Sequence, residues 1–237
     1  MKFRKYLLEL LLLLLIAGAA VVLVDAFLSD KDEQAALNGY VESGHSADSV
    51  AARHASASEP AREVSRHYAE HQHPTPNFDP EKRNTVEGVI LHHTAEPTVE
   101  RSLEVLTSKK KGVGTHVVID TDGTRYVMCA PEVVTFHAGK SVLNGRESCN
   151  EFTIGIEFQG NTLEAPLTDE QIYSAIEYLR PLIVQYHIPT ANIVTHEMVR
   201  KAYKEKYPDA RCYDKVDITP AEYEHFMRLF IEEMGDF

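Results

Sequence analysis

The chain has no CxxC pair, and its three cysteines, Cys129, Cys149 and Cys212, are an odd number. Structural zinc modules built on four cysteines, or on a cysteine pair with a histidine pair, are therefore excluded. One disulfide with one free thiol stays open for an oxidising compartment, but buried free thiols are the simpler reading. Positive charge is also short. Lys and Arg number 24 against 36 Asp and Glu, a formal net charge of −12. That goes against nucleic acid as a main partner, because neutralising phosphates takes clustered Lys and Arg. Beyond the N-terminus the only dense basic cluster is Lys109-Lys110-Lys111, which reads as a solvated loop. Tryptophan is absent, and no internal repeat is present. With 237 residues there is room for one ordinary catalytic domain plus extras. Histidine breaks the pattern of scarcity, with 12 copies.

Composition divides the chain into three parts. In residues 1–28, Lys2, Arg4 and Lys5 precede an apolar run from Tyr6 to Val24 that only Glu9 interrupts. Such a run meets the roughly 17–25 residues of a spanning helix and exceeds the roughly 7–15 of a cleaved signal. Basic residues before it and Asp25, Asp30, Asp32 and Glu33 after it predict a cytoplasmic tail and a translocated remainder. An uncleaved signal anchor is the expectation, with cleavage near Ala17 to Ala20 as the alternative. No cysteine lies nearby, which excludes a lipoprotein anchor. Residues 29–85 are rich in Ala, Ser, Glu and His and close on Pro74, Pro76 and Pro80. They read as a flexible tether, with a short helix near residues 60–70, since so few large apolar groups cannot offset ordering entropy. His67, His71 and His73 could bind a metal weakly, but a solvated tether is the better reading.

Residues 86–237 read as the folded domain. Strands are expected at 88–92, 115–120, 126–130 and 152–159, with Asp122-Gly123 turning between the second and third. One helix opens on Thr168 with Gln171 completing a capping box, and its stripe is Ile172, Ile176, Leu179, Leu182 and Ile183, with a kink at Pro181. Another starts at Thr219-Pro220 and carries Tyr223, Phe226, Met227 and Phe230. Strands alternating with helices predict an α/β domain with a single mixed central sheet.

The chemistry-bearing residues sit where apolar runs end. In Gly88-Val89-Ile90-Leu91-His92-His93-Thr94 the period of two puts His92 on one face with Ile90 and His93 on the other with Leu91. An isolated histidine at a strand end is as a rule a satisfied rim residue. Yet Asn192-Ile193-Val194-Thr195-His196 repeats the pattern and could deliver a second ligand to the same sheet edge. His196-Glu197-Met198-Val199-Arg200 is half of a helical HExxH motif, with Arg200 in the place of the second histidine, so that motif is absent. In the segment Cys212-Tyr213-Asp214-Lys215-Val216-Asp217, an extended backbone would put Lys215 and Asp217 on one side. A carboxylate ligand beside an ammonium suits hydrolysis at a zinc site.

Taken together and in order, these stretches resemble the zinc-dependent N-acetylmuramoyl-L-alanine amidases of the amidase-2 family, which includes AmpD-type amidases and peptidoglycan recognition proteins. The resemblance runs from about Glu87 to Phe230. It also rests on Thr115-His116-Val117-Val118-Ile119, Phe136-His137-Ala138-Gly139, Asn144-Gly145-Arg146-Glu147-Ser148-Cys149-Asn150 and Ile154-Gly155-Ile156-Glu157. It implies one Zn²⁺ held by His92, His196 and Asp217, with Glu157 and Lys215 as catalytic residues and His93, His116 and His137 near the substrate. Alternation would turn Phe152, Ile154, Ile156 and Phe158 to the core and leave Glu157 opposite them, beside Gly155, whose missing side chain leaves room for substrate. Two departures stand out. Relatives usually follow the aspartate with Pro-Gly where this chain has Ile218-Thr219, which keeps Cys212 and Asp214 open as third ligand. Many also have Trp where this chain has Phe136. The implied partner is peptidoglycan or a muropeptide, cut between the lactyl group of N-acetylmuramic acid and L-alanine; the alternative is a binding module that does not cut. The anchor implies a single-pass protein of the bacterial inner membrane with its domain facing the periplasm or cell exterior, unlike the cytoplasmic recycling amidases of the family.

Overall fold

Val, Ile, Leu and Phe dominate the strands at the centre of the domain, and both faces of those strands are covered. The computed structural model describes residues 67–211 and 217–235, which belong to the unit Ser65–Phe237. Among the described residues the strands are β1 (Glu70–Gln72), β2 (Phe78–Arg83), β3 (Gly88–His93), β4 (Val117–Ile119), β5 (Arg125–Val127), β6 (Val133–Thr135), β7 (Val142–Leu143), β8 (Arg146–Glu147), β9 (Thr153–Phe158) and β10 (Ile193–Thr195). The helices are α1 (Val99–Thr107), α2 (Asp169–Tyr186), α3 (His196–Lys206) and α4 (Pro220–Met234). Six strands form one sheet in the order β1-β5-β4-β9-β3-β10. Within that sheet only the β4–β5 pair is antiparallel. The expected mixed central sheet flanked by helices is what forms.

Alternation along the strands splits the core in two. Val89, Leu91, Val117, Ile119, Ile154, Ile156, Phe158 and Ile193 face one side, where Ile172, Ile176, Leu179 and Ile183 of α2 and Phe226 and Phe230 of α4 cover them. Burying each such aliphatic side chain contributes roughly 1.5–3 kcal/mol. Ile90 and Val194 face the other side, against Ala138, Leu143, Cys149, Phe152 and Val199, while Val118 meets Val99, Leu103 and Leu106 of α1. Helix α2 begins with the expected capping box of Thr168 and Gln171, and runs on through Pro181 to Tyr186. In α4, Thr219 caps and Pro220 takes the first turn, where a missing N–H costs nothing. Phe152 departs from expectation: the strand starts only at Thr153, the backbone turns at Phe152 with ψ 13, and its ring joins the second face.

One boundary expected from composition changes. Part of the stretch expected as tether up to residue 85 belongs to the domain, because β1 and β2 are strands of it, with β1 on the edge of the main sheet and β2 paired to β6. The reason is polar bonding that composition does not reveal. The Asn77 amide donates to the carbonyls of Leu106, Ser108 and Val113, and Asn84 donates to the Thr153 carbonyl while accepting from Val86 N–H. Arg125 adds ion pairs to Glu70 and Glu177. His71 and His73 pack around Tyr126. The single-pass membrane localisation is also corrected. Among the described residues no helix is long and apolar enough to cross a membrane, and the run from Tyr6 to Val24 lies outside them.

A chain starting at Ser65 is expected to unfold cooperatively on heating. One starting at Val86 loses β1, Asn77 and Asn84 and is expected to show no cooperative transition by circular dichroism.

Candidate metal centre

Parallel strands end side by side, so residues at their carboxyl ends are gathered without any local sequence proximity. In register, His92 of β3 lies beside Glu157 of β9, and Glu157 beside Val118 of β4. On the other flank Thr195 of β10 pairs with Leu91, which carries His196 to the level of His92. Thr195 then serves as N-cap of α3 by accepting from Met198 N–H, so His196 sits in the first turn of that helix. Asp217 arrives from the far end of the chain, just ahead of α4, and is wholly buried.

The three side chains converge. Asp217 Oδ2 lies 3.2 Å from His92 Nδ1 and 2.6 Å from His196 Nδ1. One ligand atom from each of His92, His196 and Asp217 falls within 4.8 Å of the others. Tetrahedral zinc with bonds of about 2.0–2.2 Å would set its ligand atoms roughly 3.3–3.6 Å apart, so the donor set suits that ion, the 3.2 Å His92–Asp217 separation is close to that spacing, and the 2.6 Å His196–Asp217 pair would open to admit it. Burial opposes ionisation of Asp217, but hydrogen bonding and charge from His196 and His92 outweigh it and hold the carboxyl far below the usual carboxylate range. A carboxylate kept ionised is what a metal ligand requires.

The cleft beside these residues has a volume of about 230 Å³ and is lined by His92, His137, Glu157 and His196 on one side and by Val105, Leu106, Val113 and Phe136 on another. Lys215, and with it Cys212 and Asp214, lies outside the described residues. His93 does not line the cleft. It is buried on the opposite face, where its Nδ1 accepts from Thr162 N–H at 3.0 Å; the Thr162 hydroxyl in turn donates to the Asp217 carbonyl and accepts from Thr219 N–H. His93 thus braces the segment that carries Asp217. Thr162, the middle of that brace, carries no motif and is not legible in the sequence.

His116 is also away from the cleft surface. Its Nε2 donates to the Val133 carbonyl at 2.9 Å and its Nδ1 accepts from Gly155 N–H at 2.9 Å. Burial lowers its pKa to about 4, and the Gly155 bond requires an unprotonated Nδ1. The room expected beside Gly155 for substrate is filled instead: a Cβ there would lie 2.6 Å from His137 Cγ and 2.9 Å from Thr115 Oγ1. His137 Nδ1 lies 3.2 Å from His92 Nε2, so His137 both lines the cleft and touches a candidate ligand.

Comparison with known proteins places this geometry. A family model described as N-acetylmuramoyl-L-alanine amidase matches residues 82–210. The 1,6-anhydro-N-acetylmuramyl-L-alanine amidase AmpD of Haemophilus influenzae is 39% identical over 87 residues, 35% of this chain and 46% of that protein. AmpD of Enterobacter cloacae is 43% identical over 61 residues, 26% of this chain and 32% of that protein. The chain therefore spans less than half the length of the curated relatives it matches. A mutant endolysin from Bacillus subtilis covers 69% of this chain and 99% of its own at 20% identity with a TM-score of 0.50, a likeness of fold. That the curated matches are AmpD amidases adds to the correction of the membrane localisation.

The His116 geometry yields a pH dependence. Its folded pKa of about 4 lies below the ordinary 6.5, so the unfolded chain binds the proton first as pH falls. Its contribution is complete above pH 6.5 and is lost between 6.5 and 4, up to about 3 kcal/mol. Urea unfolding at the two pH values should show that loss in the parent and a smaller one in His116→Asn.

Proposed function

Because the chain belongs to the amidase-2 family of N-acetylmuramoyl-L-alanine amidases, we propose that it hydrolyses the amide between the lactyl group of N-acetylmuramic acid and L-alanine in muropeptides, with zinc. The observation that carries this is the meeting of two imidazole Nδ1 atoms with one buried carboxylate oxygen, at 3.2 and 2.6 Å, beside a glutamate at the rim of a cleft. His92, His196 and Asp217 would hold the ion. Zinc with an open position supplies an acidic water and a polarising charge for the carbonyl.

The side chains divide the remaining work. Glu157 is adjacent to His92 across the β3–β9 ladder, and its carboxylate takes the proton of the attacking water and returns it to the leaving amine of L-alanine. Lys215, two residues ahead of Asp217, is assigned to the oxyanion. His92 and Glu157 flank the scissile carbonyl, and the apolar wall of Val105, Leu106, Val113 and Phe136 excludes water and receives the apolar parts of the substrate. The name of the AmpD relatives directs the first test to 1,6-anhydro-muropeptides, with polymeric wall as the comparison substrate.

Glu157→Gln is expected to keep one zinc per chain while losing at least ~100-fold in rate, the usual yield of a general base. His92→Ala should lose the zinc as well. Zinc content and chromatographic detection of peptides with a new L-alanine amine check both. A zinc-loaded parent that binds muropeptides and releases no such peptide would replace the hydrolase with a binding module.

A further inference from the structure

The hydrogen-bond chain behind the candidate ligands has a direction that the atoms themselves decide. The Thr153 hydroxyl donates to the Cys149 carbonyl at 2.7 Å, so toward His137 Nε2, 3.5 Å away, its oxygen can only accept. At the other end of the ring, His137 Nδ1 lies 3.2 Å from His92 Nε2. His196 is fixed more directly, because its Nε2 lies 3.2 Å from the Ala138 carbonyl, which can only accept. Both rings are therefore held at Nε2, while Nδ1 of each faces Asp217.

Both contacts belong to one dipeptide, His137-Ala138, and one side chain holds that dipeptide. Asn150 Oδ1 accepts from His137 N–H at 3.2 Å and from Ala138 N–H at 2.7 Å. Two backbone donors on the same atom settle the orientation of the amide. Gly155 supplies the space into which the His137 ring fits.

We propose that Asn150 and His137 are positioning residues of the metal centre: Asn150 fixes the His137-Ala138 dipeptide, whose ring nitrogen and carbonyl meet the Nε2 atoms of His92 and His196 and so aim both Nδ1 atoms together. This deepens the amidase reading and rests on it. Asn150 touches neither candidate ligands nor cleft. It acts through geometry two bonds removed, as outer partners of metal ligands generally do.

The test is a zinc affinity measured by competition with a chromophoric chelator on the full chain. Asn150→Leu and His137→Phe, which keeps a ring against Gly155 without an acceptor, should each bind zinc roughly 10–100-fold more weakly. Asn150→Asp retains the accepting oxygen and should recover most of the affinity. Thermal melting in excess chelator reports folding without metal. Equal affinities in parent, Asn150→Leu and His137→Phe overturn the proposal, and so does weakening that Asn150→Asp does not relieve. Should Asn150→Leu fail to melt cooperatively, His137→Phe decides alone. A parent chain that binds no zinc sinks the amidase reading itself, an outcome distinct from a parent that binds zinc with variants that bind it equally.

Discussion

Everything at the centre of this domain follows from placing three electron-rich atoms in contact. Two imidazole nitrogens and a carboxylate oxygen meet within 2.6–3.2 Å, inside protein, where water does little to relieve them. Such a cluster is unfavourable unless a cation sits among them, because stripping a carboxylate of solvent costs several kcal/mol that only a close positive charge or donor offsets. A proton on a ring nitrogen meets this need partly; a divalent ion meets it fully, with three bonds instead of one hydrogen bond.

That tension explains how firmly the surroundings are built. His92 is set by the ladder between β3 and β9, among the best-covered strands of the sheet, and His196 by the N-cap at Thr195 that starts α3. Asp217 cannot rely on a strand. Its backbone is held through Thr162, which bonds the carbonyl of Asp217 and the N–H of Thr219 and is itself bonded to His93. The adjacent histidines of β3 thus serve one centre from opposite faces of the sheet. His92 offers a ring nitrogen to the cluster, and His93 fixes the peptide that brings the acid to it.

Much of this was legible and some was not, for physical reasons. Long periodic elements declare themselves: the stripe of α2, the capping box at Thr168 and the Thr219-Pro220 start are all local signals, and they are found where expected. The ends of apolar runs at His92 and His196 were legible for the same reason. β1 and β2 were not, because they are short and mostly exposed, and what ties them in is the side-chain amides of Asn77 and Asn84 bonding to distant carbonyls. Helix α3 is polar on most faces and carries one buried residue, Val199, so periodicity shows it weakly, while α1 has an apolar stripe of Val99, Leu103 and Leu106 but is only 9 residues long. Gly155 was read as open space, yet whether a glycine makes room for substrate or for another side chain depends on what arrives from across the fold, here the ring of His137.

The same logic accounts for the concentration of neutral imidazole beneath the site. His116, His137 and His92 form a contiguous row, with ring centroids 5.7 Å apart between His116 and His137 and 5.4 Å between His137 and His92. A row of charged imidazolium groups at that spacing would repel strongly and would compete with a metal for the same lone pairs. A row of aliphatic side chains would pack as well but could not dictate which ring nitrogen bears hydrogen. Neutral histidine donates at one end and accepts at the other, and His116 uses both ends on backbone, at the Val133 carbonyl and the Gly155 N–H. Burial lowers the pKa of His116 and His137, and the row ends where His137 Nδ1 meets His92 Nε2.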